Sequence, residues 1–327
     1  MTRLNDKADP LLNGYWDGDA IASRLMLRRQ EWRSEKYRHR EYGAQGFPSR
    51  PVIGKVATAL ASTLYPLRLG PDFVRRDNED AYVRGTLDTG LSRLYGQIRL
   101  ELGYAYPAED VAQVDARAAN IIARFADALP DLRALLDTDV EAAFAGDPAA
   151  RSVDEVLICY PSMQAIIHHR MAHLLHSLGA PLVARIISAV AYAQTGIDIH
   201  PGARIGRSFF VDHGSGVVIG ETAVVGDRVR LYQGVTLGAR GETASDARGT
   251  SDLRHPIVED DVIIYAGATV LGRVIVGRGS VILGNVWLTE SVPAFSLVRQ
   301  ARAAHQVTSR AELSAPHRTG EAHRPSP

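Results

Sequence analysis

The sequence predicts an all-α N-terminal domain followed by a parallel β-helix that is built from hexapeptide repeats. Three observations lead to this prediction. Before residue 195, apolar residues recur every three or four positions, as they do on one face of an α-helix. From Ile199 onwards, aliphatic residues recur every six positions. A polar, aperiodic stretch at 239–254 interrupts the second pattern, which is typical of a loop extruded from a regular coil.

The helical domain is expected over residues 49–194. Two apolar runs and an alanine-rich stretch after Val114 carry the helical spacing; the runs are Val56, Leu60, Leu64, Leu67 and Leu91, Leu94, Ile98, Leu102. Pro107 and Pro130 interrupt these segments. A further helix is expected over 164–178. The arginine-rich residues 1–48 are expected to form a polar, partly mobile arm. The proline-containing, charged tail at 301–327 is expected to be largely disordered.

The β-helix is expected over residues 195–300. A period of six fits neither a helix nor a simple strand, but it fits a coil with three flat faces, in which one aliphatic residue per face stacks on its equivalent one coil away. These aliphatic residues are Ile199, Ile205, Val211, Ile219, Val225, Leu231 and Leu237, then Val258, Ile264, Val270, Val276, Ile282 and Leu288. The step from Val211 to Ile219 is eight instead of six.

Composition narrows the class of protein. Lys+Arg and Asp+Glu are both 37, so no net charge favours nucleic acid or an anionic membrane as a partner. The single cysteine, Cys159, excludes an intramolecular disulfide, which fits a reducing compartment; we expect it to be a small buried residue and not a nucleophile. The sequence has neither an apolar secretory segment nor an apolar run of about 18 residues. We therefore predict a cytoplasmic protein without a membrane span.

Polar residues cluster at 195–203, 209–222 and 254–256. These clusters hold histidines, carboxylates and an arginine, which suit acyl transfer to an alcohol, because that reaction needs a base, a group that orients the base, and counter-charges for the acceptor. Asp212 and His213 are neighbours, so on a flat strand their side chains point to opposite faces unless a turn re-aims them. Asp198, in the preceding coil, is the better candidate to orient His213.

Several of these segments resemble the serine O-acetyltransferases. The resemblance is carried by Thr-Gly-Ile-Asp-Ile-His-Pro-Gly-Ala at 195–203, Val-Asp-His-Gly-Ser-Gly-Val-Val-Ile-Gly-Glu-Thr at 211–222, Tyr-Gln-Gly-Val-Thr-Leu-Gly at 232–238 and Arg-His-Pro at 254–256. Asp-Pro-Ala-Ala-Arg-Ser at 147–152, ahead of Tyr160-Pro161, is similar to the family's helical domain. The match covers roughly residues 140–300, and the long N-terminal region resembles the larger bacterial, EpsC-like branch. The resemblance implies that the β-helix is left-handed.

The family reaction moves an acetyl group from acetyl-CoA to the hydroxyl of L-serine, giving O-acetyl-L-serine and CoA for cysteine synthesis, with no metal. The resemblance implies that His213 is the general base and that Asp198 pairs with it. It implies that His255 assists at the acceptor or at the tetrahedral intermediate.

The resemblance also implies binding roles. Asp147 and Asp212 would hold the serine ammonium, and Arg254 would bind the carboxylate, for which a guanidinium fork is better suited than an ammonium. Glu221 is expected near the same pocket. Gly238 and Ala266 would lie along the CoA groove.

Family members form homotrimers, some of which pair into dimers of trimers, with sites between subunits, and many are inhibited by L-cysteine. This chain departs from some members at Gln164, where they have a histidine. It ends in His323-Arg324-Pro325-Ser326-Pro327, without the terminal isoleucine by which some members dock onto the next enzyme of cysteine synthesis. We do not expect docking of that kind.

Other interpretations remain open. The chain could acetylate another hydroxyl acceptor, a sugar or a xenobiotic. It could be a metal hydratase with His200, His213 and His255 as zinc ligands, or a repeat scaffold without activity. Asp147 could be a helix N-cap before Pro148. His200 is expected to be a corner residue, and His168 and His169 are expected to be packing or surface groups.

Overall fold

A computed structural model describes residues 15–34, 46–241 and 253–301. Helices fill the first part of the described chain and short strands the second, as the sequence predicts. The helices are α1 (Gly18–Ser34), α2 (Arg50–Leu64), α3 (Pro66–Leu69), α4 (Glu79–Ala105), α5 (Val111–Asp127), α6 (Leu129–Gly146), α7 (Val153–Cys159), α8 (Pro161–Leu178) and α9 (Pro181–Thr195).

The helix boundaries follow local chemistry. Residues preceding a proline avoid the helical conformation, so α2 ends at Leu64, before Tyr65-Pro66, and Leu67 lies in the separate short helix α3. Asp110 begins α5 with a capping box, in which its side chain accepts the Gln113 N–H and the Gln113 side chain accepts the Asp110 N–H. Of the predicted apolar positions in α2 and α4, Val56, Leu60, Leu64, Leu94, Ile98 and Leu102 are buried, and Leu91 is partly buried.

Fourteen short strands within the described residues form the β-helix. They are β1 (Asp198–Ile199), β2 (Arg204–Ile205), β3 (Phe210–Val211), β4 (Val218–Ile219), β5 (Val224–Val225), β6 (Arg230–Leu231), β7 (Thr236–Gly238), β8 (Ile257–Val258), β9 (Ile263–Ile264), β10 (Thr269–Leu271), β11 (Ile275–Val276), β12 (Val281–Ile282), β13 (Trp287–Leu288) and β14 (Leu297–Val298). Every pairing between them is parallel.

The strands form three sheets, which we call face A (β1-β4-β7-β10-β13), face B (β2-β5-β8-β11) and face C (β3-β6-β9-β12-β14). The predicted aliphatic residues stack in register, as in the face A column Ile199, Ile219, Leu237, Val270, Leu288. All thirteen predicted stack positions are buried except Ile205, which is partly exposed. The six-residue prediction is therefore confirmed.

A buried ion pair joins the helices to the first coil. Arg170 on α8 donates to both carboxylate oxygens of Asp139 on α6, at 3.1 and 3.0 Å. Asp139 also accepts the backbone N–H of Phe209 at 2.9 Å, and Arg170 donates to the carbonyl of Gly206 at 2.6 Å. Because both partners are buried and their remaining polar atoms are used, this pair fixes α6 against β3. It thereby sets where the end of α6 lies.

The structure tests only some of the remaining predictions about the chain's organisation. Helix α1 buries none of its residues, whereas the rest of the predicted arm at 1–14 and 35–45, most of the loop at 239–254 and the tail at 302–327 lie outside the described residues. Among the described helices, none has both the length and the apolar character that crossing a membrane requires.

Cys159 is exposed, so the prediction that it is buried is wrong. It ends the seven-residue helix α7, which buries Val156 and Leu157 instead.

Candidate active site at two edges of the β-helix

The polar clusters lie at two different edges of the triangular coil. His213 lies in the turn between β3 on face C and β4 on face A, which we call the C–A edge. Glu221 follows β4 and His255 precedes β8, so both lie where face A meets face B, the A–B edge. A face of six residues at about 3.3 Å per residue separates the two edges by roughly 20 Å. One chain therefore presents two separate groups of polar residues.

The turn that carries His213 is longer than its counterpart in the next coil. Six residues, 212–217, separate β3 from β4, whereas four residues, 232–235, separate β6 from β7. His213 and Gly214 adopt positive φ angles of 58° and 91°, a conformation that is uncommon for a residue with a side chain. The His213 side chain is 74% exposed as a result. The step of eight in the sequence is the signal of this enlarged turn.

The same turn re-aims Asp212. Its carboxylate is almost buried, and Oδ1 lies 3.8 Å from Nε2 of His213. This distance is too long for a hydrogen bond, but it places the two side chains on one side of the chain instead of on opposite faces. The flat-strand argument therefore does not apply at this turn, and a carboxylate faces the imidazole.

Asp147 reaches the C–A edge from the end of α6. Its backbone caps the C-terminus of that helix, and its side chain accepts hydrogen bonds from the Ala149 N–H at 2.8 Å and the Tyr160 hydroxyl at 2.5 Å. The hydrogen bond from Tyr160 lowers the pKa of Asp147 most, followed by that from Ala149, and the same bond raises the pKa of Tyr160 to about 12. The N-cap interpretation of Asp147 is wrong, because the next helix, α7, is capped by Ser152.

Arg230, on β6, extends along the same edge. Its Nη2 donates to Oδ2 of Asp212 at 2.9 Å, and its guanidinium lies over the rings of Phe210 and Tyr232, 5.1 and 4.8 Å from their centroids. Sequence reasoning missed both Arg230 and Tyr160. A signal for Arg230 was present, because β6 pairs with β3 and an outward residue at 230 lies beside Phe210.

At the A–B edge, Thr222 fixes the ring of His255. The Thr222 hydroxyl accepts the backbone N–H of Arg254 and of His255, and it lies 2.9 Å from Nδ1 of His255, which also accepts the Thr222 backbone N–H. We infer from this pattern that Nδ1 is the acceptor and that Nε2 carries the proton. Burial, followed by the charge of Arg254, lowers the pKa of His255. The ring is therefore a neutral donor at pH 7.

Gly220 makes room for that ring. A Cβ at position 220 would lie 2.0 Å from Cδ2 and 2.1 Å from Nε2 of His255. Arg254, close by, is exposed, and its Nη2 lies 4.0 Å from Oε2 of Glu221. Arg273 donates to the carbonyls of Thr222 and His255 at 2.8 and 2.9 Å, which ties the two segments of the edge together.

Comparisons with known proteins identify the family. No protein-family model matches the chain. The plasmid serine acetyltransferase of Synechococcus elongatus is 52% identical to the chain over 264 residues, which are 78% of this chain and 82% of that relative. The chain belongs to the serine acetyltransferase family. The family resemblance seen in the sequence is thereby confirmed, while the EpsC-like assignment stays a prediction.

Solved structures of serine acetyltransferases share the architecture. Isoform 3 from Entamoeba histolytica, in complex with cysteine, has a TM-score of 0.66 and 30% identity, with 90% of this chain and 98% of that chain covered. The enzyme from Neisseria gonorrhoeae, in complex with serine, has a TM-score of 0.50 and 25% identity over 80% of this chain and 98% of that chain. The helical domain followed by a left-handed parallel β-helix is thus the fold of this serine acetyltransferase family member.

The remaining predicted site residues of this serine acetyltransferase family member lie apart. Asp198, on β1, has Arg185 at 3.7 Å, and its pairing with His213 stays a prediction. Gly238 ends β7 at the A–B edge, whereas Ala266 lies in the turn before β10 at the C–A edge. Gln164 donates to Gln194 at 2.5 Å within the helical domain. Each edge therefore carries one of the two residues assigned to the CoA groove.

Three further histidines among the described residues fit structural roles. His168 and His169 are buried on α8, and burial lowers the pKa of both. Nδ1 of His200 accepts the Gly202 N–H at 3.0 Å in a corner turn, as expected for a corner residue. The proposed zinc ligands do not converge within one chain, because His213 lies at one edge and His200 and His255 at the other. No metal-binding group of three or more His, Cys, Asp or Glu forms among the residues that the structure describes.

Proposed function

We propose that this protein transfers the acetyl group of acetyl-CoA to the hydroxyl of L-serine, with His213 as general base. One observation carries the proposal: the enlarged turn at residues 212–217 presents an exposed imidazole beside the carboxylates of Asp212 and Asp147. The family relationship supports the same reaction, because the relatives are named serine acetyltransferases and one solved relative holds serine. Acetyl-CoA is the co-substrate of the family reaction.

In the proposed reaction, His213 accepts the proton of the serine hydroxyl as the oxygen attacks the thioester carbonyl. The C–S bond of the resulting tetrahedral intermediate breaks, and CoA leaves as a thiolate that takes the proton from His213. The products are O-acetyl-L-serine and CoA. O-acetyl-L-serine is an activated form of serine for cysteine synthesis. Asp198 is proposed to orient His213 and to stabilise the imidazolium.

Binding of the acceptor uses the charged groups of both edges. Asp147 and Asp212 are proposed to hold the ammonium, and Arg254, with Glu221 beside it, the carboxylate. The neutral His255 ring can donate its Nε2–H to the acceptor or to the oxyanion of the intermediate. Gly238 and Ala266 are proposed to line the pantetheine arm, because small residues leave the backbone accessible.

The separation of the two groups supports a site shared between copies of the chain. Roughly 20 Å lie between the edges, which is too far for one serine molecule to touch both groups of one chain. A homotrimer would place the C–A edge of each copy against the A–B edge of the next. We propose a trimer, or a dimer of trimers, acting in the cytoplasm. L-cysteine is proposed as an inhibitor at the same site, since a solved relative binds it.

The test is a thiol-release assay with acetyl-CoA and either L-serine or a panel of sugars and xenobiotic alcohols. We expect release with L-serine only, inhibition by L-cysteine, and a loss of at least about 10²-fold in kcat for His213→Ala, with the oligomer unchanged in size-exclusion chromatography. Release with a sugar alone would favour the other acceptor class. Unchanged turnover in His213→Ala would remove the base assignment.

A further inference from the structure

The two carboxylates of the C–A edge each have a dedicated partner. Tyr160, a neutral donor, holds Asp147 at 2.5 Å. Arg230, a cation, holds Asp212 at 2.9 Å. Tyr160 connects α7 to α8 in the helical domain, whereas Arg230 lies in the second coil of the β-helix. The two carboxylates are therefore positioned from different parts of the fold and by groups of different charge.

Arg230 is itself fixed in place. Only about a quarter of its side chain is exposed, at 24%, and the planar guanidinium packs over Phe210 and Tyr232. Gly146, at the end of α6, admits this arrangement, because a Cβ there would lie 2.8 Å from the Phe210 ring and 3.6 Å from Nη1 of Arg230. Because its guanidinium packs against two aromatic rings, the positive charge of Arg230 has a fixed position, unlike the charge of a mobile surface arginine.

We propose that Arg230 is a positioning residue of the acceptor site: it holds the Asp212 carboxylate in place and balances one of the two negative charges, so that the pocket suits an acceptor with a single ammonium group. This inference rests on the proposed function, in which Asp147 and Asp212 receive that ammonium. Without Arg230, two carboxylates would face one ammonium, and Asp212 would be free to turn towards solvent.

The charged and titratable groups around Arg230 come from both parts of the fold. They are Asp147 and Tyr160 from the helical domain, and Asp212, His213 and Tyr232 from the β-helix. Without the guanidinium, Asp212 loses the donor to its Oδ2, and the carboxylate can turn away from the acceptor pocket. The loss is therefore expected in the binding of L-serine, as a higher KM, with kcat less affected.

The experiment compares Arg230→Gln, which keeps hydrogen-bond donors but loses the charge, with Arg230→Lys, which keeps the charge. Arg228→Gln is the matched control, because Arg228 pairs with Asp261 at 2.6 and 3.0 Å on an exposed turn away from this pocket. Steady-state thiol release is measured at constant pH with varied L-serine and with varied acetyl-CoA, which gives kcat and a KM for each substrate. Arg230→Met is a second neutral variant, should Arg230→Gln fold poorly.

For Arg230→Gln we expect KM for L-serine to rise about 3- to 10-fold, with kcat changed less than about twofold, because the variant loses a charged hydrogen bond that positions a binding group. Arg230→Lys should restore most of the wild-type KM, and Arg228→Gln should match the wild type. KM for acetyl-CoA should change less than about twofold, since the interaction is on the acceptor side.

A lower kcat with an unchanged KM for L-serine, or a raised KM that the lysine variant does not restore, would overturn the proposal. Wild-type kcat and KM in Arg230→Gln would overturn this proposal alone. A wild-type chain that releases no thiol with L-serine would overturn the proposed function and this inference with it.

Discussion

The fit of the His255 ring against Gly220 gives a sharp test of the A–B edge. Gly220 does not need a glycine backbone conformation, since its φ is not positive. Gly220→Ala therefore adds a methyl group without backbone strain. That methyl would lie 2.0 Å from Cδ2 and 2.1 Å from Nε2 of His255, so any effect of the substitution acts through this ring.

The magnitude follows from the overlap. Non-bonded carbon atoms rest at about 3.5 Å or more, so the ring has to move by roughly 1.5 Å. The move breaks the contact between the Thr222 hydroxyl and Nδ1, now 2.9 Å, and re-aims the Nε2–H. A displacement of about 1 Å in a catalytic constellation lowers the rate about 10²-fold. We expect kcat/KM for L-serine to fall about 30- to 100-fold in Gly220→Ala.

The assay is steady-state thiol release by Gly220→Ala, His255→Ala and the double variant, with thermal unfolding of each. Gly96→Ala, in α4, is the control, because a Cβ there meets nothing within 4 Å. In the His255→Ala background the added methyl should have almost no further effect, since the ring that it displaces is gone. A full second loss in the double variant would refute the reasoning, as would a Gly220→Ala enzyme with normal kcat/KM.

Two further outcomes follow from the hydrogen bonds and the histidines. Tyr160→Phe removes the donor that holds Asp147, so KM for L-serine should rise about 3- to 10-fold, with kcat less affected, relative to the exposed control Tyr192→Phe. A normal KM would show that Asp147 needs no such support. Burial, followed by Arg185, lowers the pKa of His200 from 6.5 to about 4. Between these values the unfolded chain holds more protons at His200 than the folded chain, so this residue makes stability fall as pH drops from 6.5 to 4. His200→Gln should therefore lessen the fall in Tm over that range, and an unchanged Tm profile would contradict the burial argument.

The site could be predicted from the sequence only in part. The motifs at 211–222 and 254–256 singled out His213 and His255, and the step of eight falls at the enlarged turn. The flat-strand argument did not anticipate that this turn brings Asp212 to face His213. The sequence did not reveal that Thr222 holds the His255 ring, because the two residues are 33 positions apart and a loop of irregular length separates them. The N-cap interpretation of Asp147 failed for a related reason: an Asp-Pro pair favours a helix start, but here tertiary packing ends α6 at that position instead.

The repeat itself was determined by the sequence. A six-residue period can be read directly along the chain, because successive aliphatic residues occupy neighbouring faces of the coil. The six-residue step is interrupted only by the step of eight and by the loop at 239–254. The tertiary structure decided what lies outside that period. Tyr160 and Arg230 reach Asp147 and Asp212 because the Asp139–Arg170 pair fixes α6 on the first coil, and because two extra residues turn the backbone at His213. These contacts depend on where the helical domain docks and on the direction in which the enlarged turn bends. The step of eight shows that the turn is longer, but it does not show that direction.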